Sequence, residues 1–166
     1  LYGMENSGFH MNEDYFTMDL DRRLSKEEIQ ELERLGNQGV RANMPVRSHC
    51  GFAADFTDLH YRSKKDFTGP LRLIEIEGHD LCACSALHAQ STGEIGLIRI
   101  LDETGVRGGS RLTVCVGDRA VDEVQEHLAV ASYLAKAKSC QITDLPERLL
   151  MRTSSPSLIK RTICII

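Results

Sequence analysis

Cys84 and His88, which three residues separate, form the pair with the clearest chemical potential in this sequence. A cysteine thiolate and a neutral imidazole are both good ligands for zinc, which binds four ligands in a tetrahedral arrangement. Catalytic zinc sites take three ligands from the protein and leave the fourth position to water. The pair would supply two of them. A buried thiol near a surface imidazole gives the same spacing, so the pair alone does not decide between a metal site and ordinary packing.

The segments around this pair predict a rigid support for it. Leu71 to Glu77 is rich in large apolar residues, which predicts a strand buried on both faces. Ile95 to Leu101 and Arg111 to Val116 predict two further strands, and the glycine-rich turn between them favours a hairpin. We therefore expect Cys84 and His88 to converge at the open end of a sheet, with the sulfur and an imidazole nitrogen within about 4 Å of each other.

A strand pair and a helix are predicted before these segments. Tyr15 to Leu20 alternates apolar and polar residues, as a half-buried strand does, and Gly8 to Met11 is expected to pair with it. Ser25 and Glu28 have the spacing of a capping box, which begins a helix. A second, longer helix is expected from Asp118, because apolar residues recur at helical spacing after it. Strands and helices interspersed without regular β-α-β units predict an α+β fold.

Composition excludes some classes of protein. The 166 residues carry a formal net charge of -4, which argues against an overall basic nucleic-acid binder. A local patch remains open, since Arg62, Lys64 and Lys65 form a basic cluster that is either a phosphate-binding site or a solvated loop. No apolar run approaches the roughly 20 residues that a membrane helix needs. The six cysteines are irregularly spaced, which together with the rest of the composition predicts a cytoplasmic protein without a disulfide framework.

Several motifs of the chain resemble those of one protein family. The segment Cys82–His88, followed by Thr92–Gly96, resembles the second metal motif of alanyl-tRNA synthetase editing domains and of their free-standing trans-editing relatives. Threonyl-tRNA synthetases carry a related domain. The other matching segments are Gly8–Met11, Asp14–Asp19, Tyr61–Lys65, Arg107–Arg111 and Gly117–Ala120.

This resemblance implies a fold and an activity. It implies a curled, largely antiparallel sheet around a helix in residues 1–117, followed by a helical extension or linker in residues 118–166. Family members hydrolyse the ester that joins a wrong amino acid, typically serine or glycine, to alanine-specific tRNA. The implied cofactor is zinc, with Cys84 and His88 as two of its ligands. The implied partner is tRNA, with Arg62 and the two lysines after it as candidate contacts, and an oligomer could form through a C-terminal region.

Two departures from the family pattern lower the expected activity. The family reads Gly-Thr before the histidine of the motif, whereas this chain has Ala86 and Leu87. The family's first metal motif, two histidines separated by three residues, lies upstream of the segment that matches Gly8, and the sequence begins at Leu1. We therefore expect the chain as given to bind zinc weakly or not at all, and to be inactive or nearly so. The alternative is a non-catalytic tRNA-binding or assembly module that keeps the fold.

Substitute ligands for the absent histidine pair are few. His79 and Cys82 lie nearest to the motif, and His10 is a third candidate, although it is more simply a structural residue of a strand. Cys82 alternates with Cys84 and would point the opposite way if the stretch is extended. The sequence shows no nucleophile elbow, P-loop or dinucleotide-binding glycine motif, and it assigns no catalytic side chain.

Overall fold

The computed structural model describes residues 3–63 and 66–150. They fall into two compact units, which divide between Ala120 and Val121. Lys64 and Lys65 lie outside the described residues, as does the apolar C-terminal end. The α+β fold with antiparallel sheets that the sequence predicts is confirmed.

The first sheet has four antiparallel strands, namely β1 (Asn6–Met11), β2 (Phe16–Leu20), β6 (Ile98–Val106) and β7 (Gly109–Val116). Their order across the sheet is β1-β2-β7-β6. The predicted pairing of the two N-terminal strands and the predicted hairpin of the last two are both present. Leu112 of β7 is fully buried, which places it at the centre of the hydrophobic core.

The second sheet carries the segment that leads into the Cys84–His88 pair. It has three antiparallel strands in the order β3-β4-β5, namely β3 (Val46–Phe52), β4 (Pro70–Ile76) and β5 (Asp80–Ala83). In the central strand β4 the adjacent residues Leu73 and Ile74 are 0% and 4% exposed. Adjacent side chains of a strand point to opposite faces, so β4 is buried on both faces, as the sequence predicts.

Helix α1 (Lys26–Ala42) begins with the predicted capping box. The Ser25 hydroxyl accepts a hydrogen bond from the Glu28 amide at 3.2 Å, and the Ser25 amide donates to the Glu28 carboxylate at 2.8 Å. Ile29 and Leu32 of the helix pack against a core cluster of the four-stranded sheet and the chain that follows β2. The cluster consists of Leu20, Leu24, Leu112 and Val114.

Two helices end the described chain. Helix α2 (Asp118–Lys138) begins at the predicted residue, and the shorter α3 (Leu145–Leu150) follows after a single 3₁₀ turn. The apolar side chains of Val124 and Leu128 on α2 are exposed. None of the helices in the described ranges is long and apolar enough to cross a membrane.

Candidate functional site

Cys84 is fixed by the ladder between β4 and β5. Leu73 pairs with Ala83 in this ladder, and the next residue, Cys84, donates its amide hydrogen to the Arg72 carbonyl at 3.1 Å. The hydrogen bond extends the pairing one residue beyond β5. Since β4 is buried on both faces, Cys84 follows directly from a rigid part of the fold.

The turn after Cys84 is held by a side chain that sequence reasoning missed. Arg72 of β4 donates from Nη1 to the Ala86 carbonyl at 2.6 Å and from Nε to the Ser48 hydroxyl at 2.8 Å. A signal was present in the sequence, because Arg72 is the one charged residue between Leu71 and Ile74 in an otherwise apolar run.

The other end of the segment is anchored to helix α1 and the chain that follows it. Thr92, at the start of a single 3₁₀ turn, donates its hydroxyl hydrogen to the Gly39 carbonyl at 2.8 Å and accepts from the Met44 amide at 2.8 Å. The Gln90 carbonyl accepts from the Val46 amide at 2.9 Å. The chain that contains His88 is therefore tied to strand β4 before the histidine and to α1 and β3 after it.

Cys84 and His88 border the same cavity, which has a volume of about 690 Å³. The structure thus brings the two predicted ligands to one concave site, and the predicted sulfur-to-nitrogen separation stays a prediction. Cys84 is half-buried and His88 is exposed. The charged or thiol-bearing residues that share the cavity with them are Arg62, Arg72 and Cys82, and its apolar wall includes Phe9, Met18, Phe67 and Leu71.

Cys82 also borders this cavity, which the expected alternation of an extended strand did not anticipate. The alternation stops because β5 ends at Ala83, between the two cysteines. Burial, and next the negative charge of Asp80, raises the pKa of the Cys82 thiol. The described part of the chain contains no group of three or more His, Cys, Asp or Glu side chains arranged to hold a metal ion. It therefore offers two predicted zinc ligands and no third.

Arg62 lies beside β5 and forms two main-chain hydrogen bonds with it. Its amide donates to the Leu81 carbonyl at 2.8 Å, and its carbonyl accepts from the Ala83 amide at 2.9 Å. Its guanidinium donates to the Asp80 carboxylate at 2.7 Å, while the side chain remains 67% exposed. The predicted cation therefore lies at the cavity with its charge partly offset by Asp80. Lys64 and Lys65, the other two predicted contacts, lie outside the described residues.

A second cavity, of about 640 Å³, lies between α1 and the four-stranded sheet. Its lining is almost entirely apolar, with Glu33 and His79 among the few polar residues. The Glu33 carboxylate accepts hydrogen bonds from the Arg99 guanidinium and the Ile100 amide, so it is already engaged within the fold. The cavity at Cys84 and His88 therefore has more side chains that could bind a metal ion or a phosphate.

Comparison with known proteins gives the family of this site. Residues 71–112 match the family model described as the threonyl and alanyl tRNA synthetase second additional domain. The matched range runs from β4 into β7 and includes both Cys84 and His88. Residues 71–112 belong to this alanyl-tRNA synthetase-related family.

The similarity to individual proteins agrees with this assignment. The chain is 35% identical over 111 residues to alanine–tRNA ligase of Methanosphaera stadtmanae, a match that covers 63% of the chain and 12% of the relative. It is 31% identical over 133 residues to the ligase of Methanopyrus kandleri, covering 72% of the chain and 14% of the relative. With the Bacillus subtilis ligase it shares 25% identity over 130 residues, covering 76% and 15%. The chain thus spans only 12 to 15% of the length of these relatives.

Proposed function

We propose that the second additional domain in this chain is part of an editing site that hydrolyses mischarged alanine tRNA with the help of zinc. The observation that carries the proposal is the position of Cys84 and His88. Both lie within the family match, and both border one cavity with two arginines at its wall. The ester of an aminoacyl-tRNA is already activated, so its hydrolysis does not require a side-chain nucleophile.

The donor chemistry of the pair fits zinc. In this proposal the Cys84 thiolate and the neutral His88 imidazole would hold the ion, and the remaining protein ligands would come from outside the described residues. When bound, zinc lowers the pKa of a coordinated water and polarises a carbonyl oxygen. The chain's own contribution is to fix the two donors at the cavity through the β4–β5 ladder and through the anchor at Thr92.

Arg62 would bind the phosphate backbone of the tRNA, together with Lys64 and Lys65. Its exposed guanidinium lies at the cavity, and arginine binds phosphate oxygens through paired N–H donors. Asp80 orients this guanidinium and also lowers the net positive charge that a phosphate would meet. We therefore propose for Arg62 a role in positioning the tRNA end rather than in the hydrolytic step.

The direct test measures release of serine or glycine from tRNA specific for alanine. We expect the full-length gene product, supplied with zinc, to release either amino acid well above the spontaneous rate, and to leave correctly charged alanyl-tRNA largely intact. Binding of the tRNA without release of serine or glycine would replace the editing proposal with a tRNA-binding or assembly module.

We also expect the 166-residue chain to retain well under one zinc ion per chain after dialysis against a mild chelator. The described residues offer two predicted ligands, and a site with two protein ligands leaves half of the tetrahedral coordination sphere to water, which gives weak binding. Elemental analysis of the dialysed protein, with an apoprotein blank, measures the stoichiometry. One tightly held zinc per chain would contradict the expectation, and His10, His79 and Cys82 would then be the first side chains to replace in a search for the unassigned ligand.

A further inference from the structure

We propose that Arg72 is a positioning residue that holds the segment from Cys84 to His88 in the shape needed to present both donors to one ion. Hydrogen bonds set the shape of the segment, whereas its role in metal binding rests on the proposed function.

Arg72 contacts the segment at two points. Its main-chain carbonyl accepts from the Cys84 amide at 3.1 Å, and its side-chain Nη1 donates to the Ala86 carbonyl at 2.6 Å. One residue of a strand buried on both faces therefore fixes the start and the middle of the turn.

Ser48 fixes the direction of the arginine side chain. It lies on the neighbouring strand β3, and its hydroxyl accepts from Arg72 Nε at 2.8 Å. A guanidinium is planar and rigid, so fixing Nε also fixes where Nη1 points. Lysine has a single ammonium on a flexible stem and cannot reproduce both contacts with the same geometry.

The need for such a tether follows from exposure of the turn. Leu87 is 100% exposed, and Ser85, Ala86 and His88 are exposed as well. A turn without burial has little packing to hold its shape, so its order depends on its hydrogen bonds. Without Arg72, the Ala86 carbonyl would turn to water, and Cys84 and His88 would have to be ordered when the ion binds. Loss of supporting contacts around a metal site typically weakens metal affinity by about 10–100-fold.

The test compares Arg72→Met, Arg72→Lys and Ser48→Ala with a matched control, Arg47→Met. Arg47 lies on β3 and pairs with Glu77 at 3.1 Å without contacting the turn, so the control removes an exposed arginine of the same sheet. The measurements on the 166-residue chain are ¹⁵N backbone relaxation of residues 85–88, without any metal, and titration with Co²⁺ alone. Circular dichroism verifies that each variant is folded.

In Arg72→Met we expect the backbone order parameters of residues 85–88 to fall from roughly 0.85 to below 0.6. The Co²⁺ affinity should fall about 10–100-fold. Arg72→Lys and Ser48→Ala should give intermediate losses of order, because each keeps part of the contact, and Arg47→Met should match the wild type. Ser48→Ala keeps the test decisive if Arg72→Met does not fold.

Unchanged order parameters in folded Arg72→Met and Ser48→Ala variants would overturn the positioning role. A loss of order in folded Arg72→Met with no change in Co²⁺ affinity would instead count against the proposed metal site. The relaxation measurement would still decide the role of Arg72, so the failure of one proposal is distinguishable from the failure of the other.

Discussion

Replacing Cys84 or His88 with alanine in the full-length gene product is expected to reduce the proposed hydrolysis of mischarged alanine tRNA to background. Each change removes one of the two side chains that we propose as zinc ligands at the cavity. Metal ions contribute several kcal/mol of charge stabilisation to such transition states. A loss of about 4 kcal/mol corresponds to a rate roughly a thousand times lower. The measurement is the initial rate of serine or glycine release at saturating zinc.

Cys140→Ala is the control for this prediction. Cys140 is a half-buried thiol between α2 and α3, in the second compact unit, and it borders neither cavity. Its replacement should leave the rate of release unchanged. A Cys84→Ala or His88→Ala protein that retained more than about a tenth of the wild-type rate would show that the pair does not hold the metal on which the reaction depends.

The parts of the fold that sequence patterns predicted are those determined by neighbouring residues. The capping box of Ser25 and Glu28 needs only a four-residue stretch, and it is present in the structure. The double-sided burial of β4 was visible as a continuous apolar run, because a strand covered on both faces needs apolar residues at successive positions. The β6–β7 hairpin followed from glycines between two strand patterns.

The features that were missed depend on contacts between residues far apart in the chain. Strand β5 has only four residues, Asp80–Ala83, and becomes a strand because β4 pairs with it on one side. On its other side lies Arg62, which pairs with Cys82 of the strand through an isolated bridge. The division of the strands into two sheets likewise depends on which partners pair, and local patterns do not specify this.

In the candidate site, too, the sequence predicted the local features and missed the contacts between distant residues. The spacing of Cys84 and His88 identified the pair, and the structure places both at one cavity. The link from Arg72 to the Ala86 carbonyl joins residues on opposite sides of the β4–β5 turn, so it could not be read from spacing. Leu87, which the sequence marked as a departure from the family pattern, is fully exposed at the tip of the turn. Its identity is therefore not required for packing.

Leu112→Ala is expected to destabilise the protein by about 2–5 kcal/mol, the range for removing a large apolar side chain from a close-packed core. Leu112 is 0% exposed and belongs to the core cluster against which Ile29 and Leu32 of α1 pack. Truncation removes burial and leaves a cavity between the helix and the sheet, because the surrounding side chains relax only partly. Small domains are stable by only about 5–15 kcal/mol, so this loss is a large fraction of the total.

Leu87→Ala provides a matched control for Leu112→Ala, because the same atoms are removed from a side chain that is 100% exposed. Surface substitutions of this kind usually change the free energy of unfolding by less than about 0.5 kcal/mol. Urea denaturation followed by circular dichroism measures both variants, and the slope of the transition checks that they unfold in the same way. Equal midpoints for the two variants would contradict the assignment of Leu112 to the core. A low midpoint for Leu112→Ala alone would support it, and would link the stability of the fold to the core cluster on which α1, the helix that Thr92 contacts, packs.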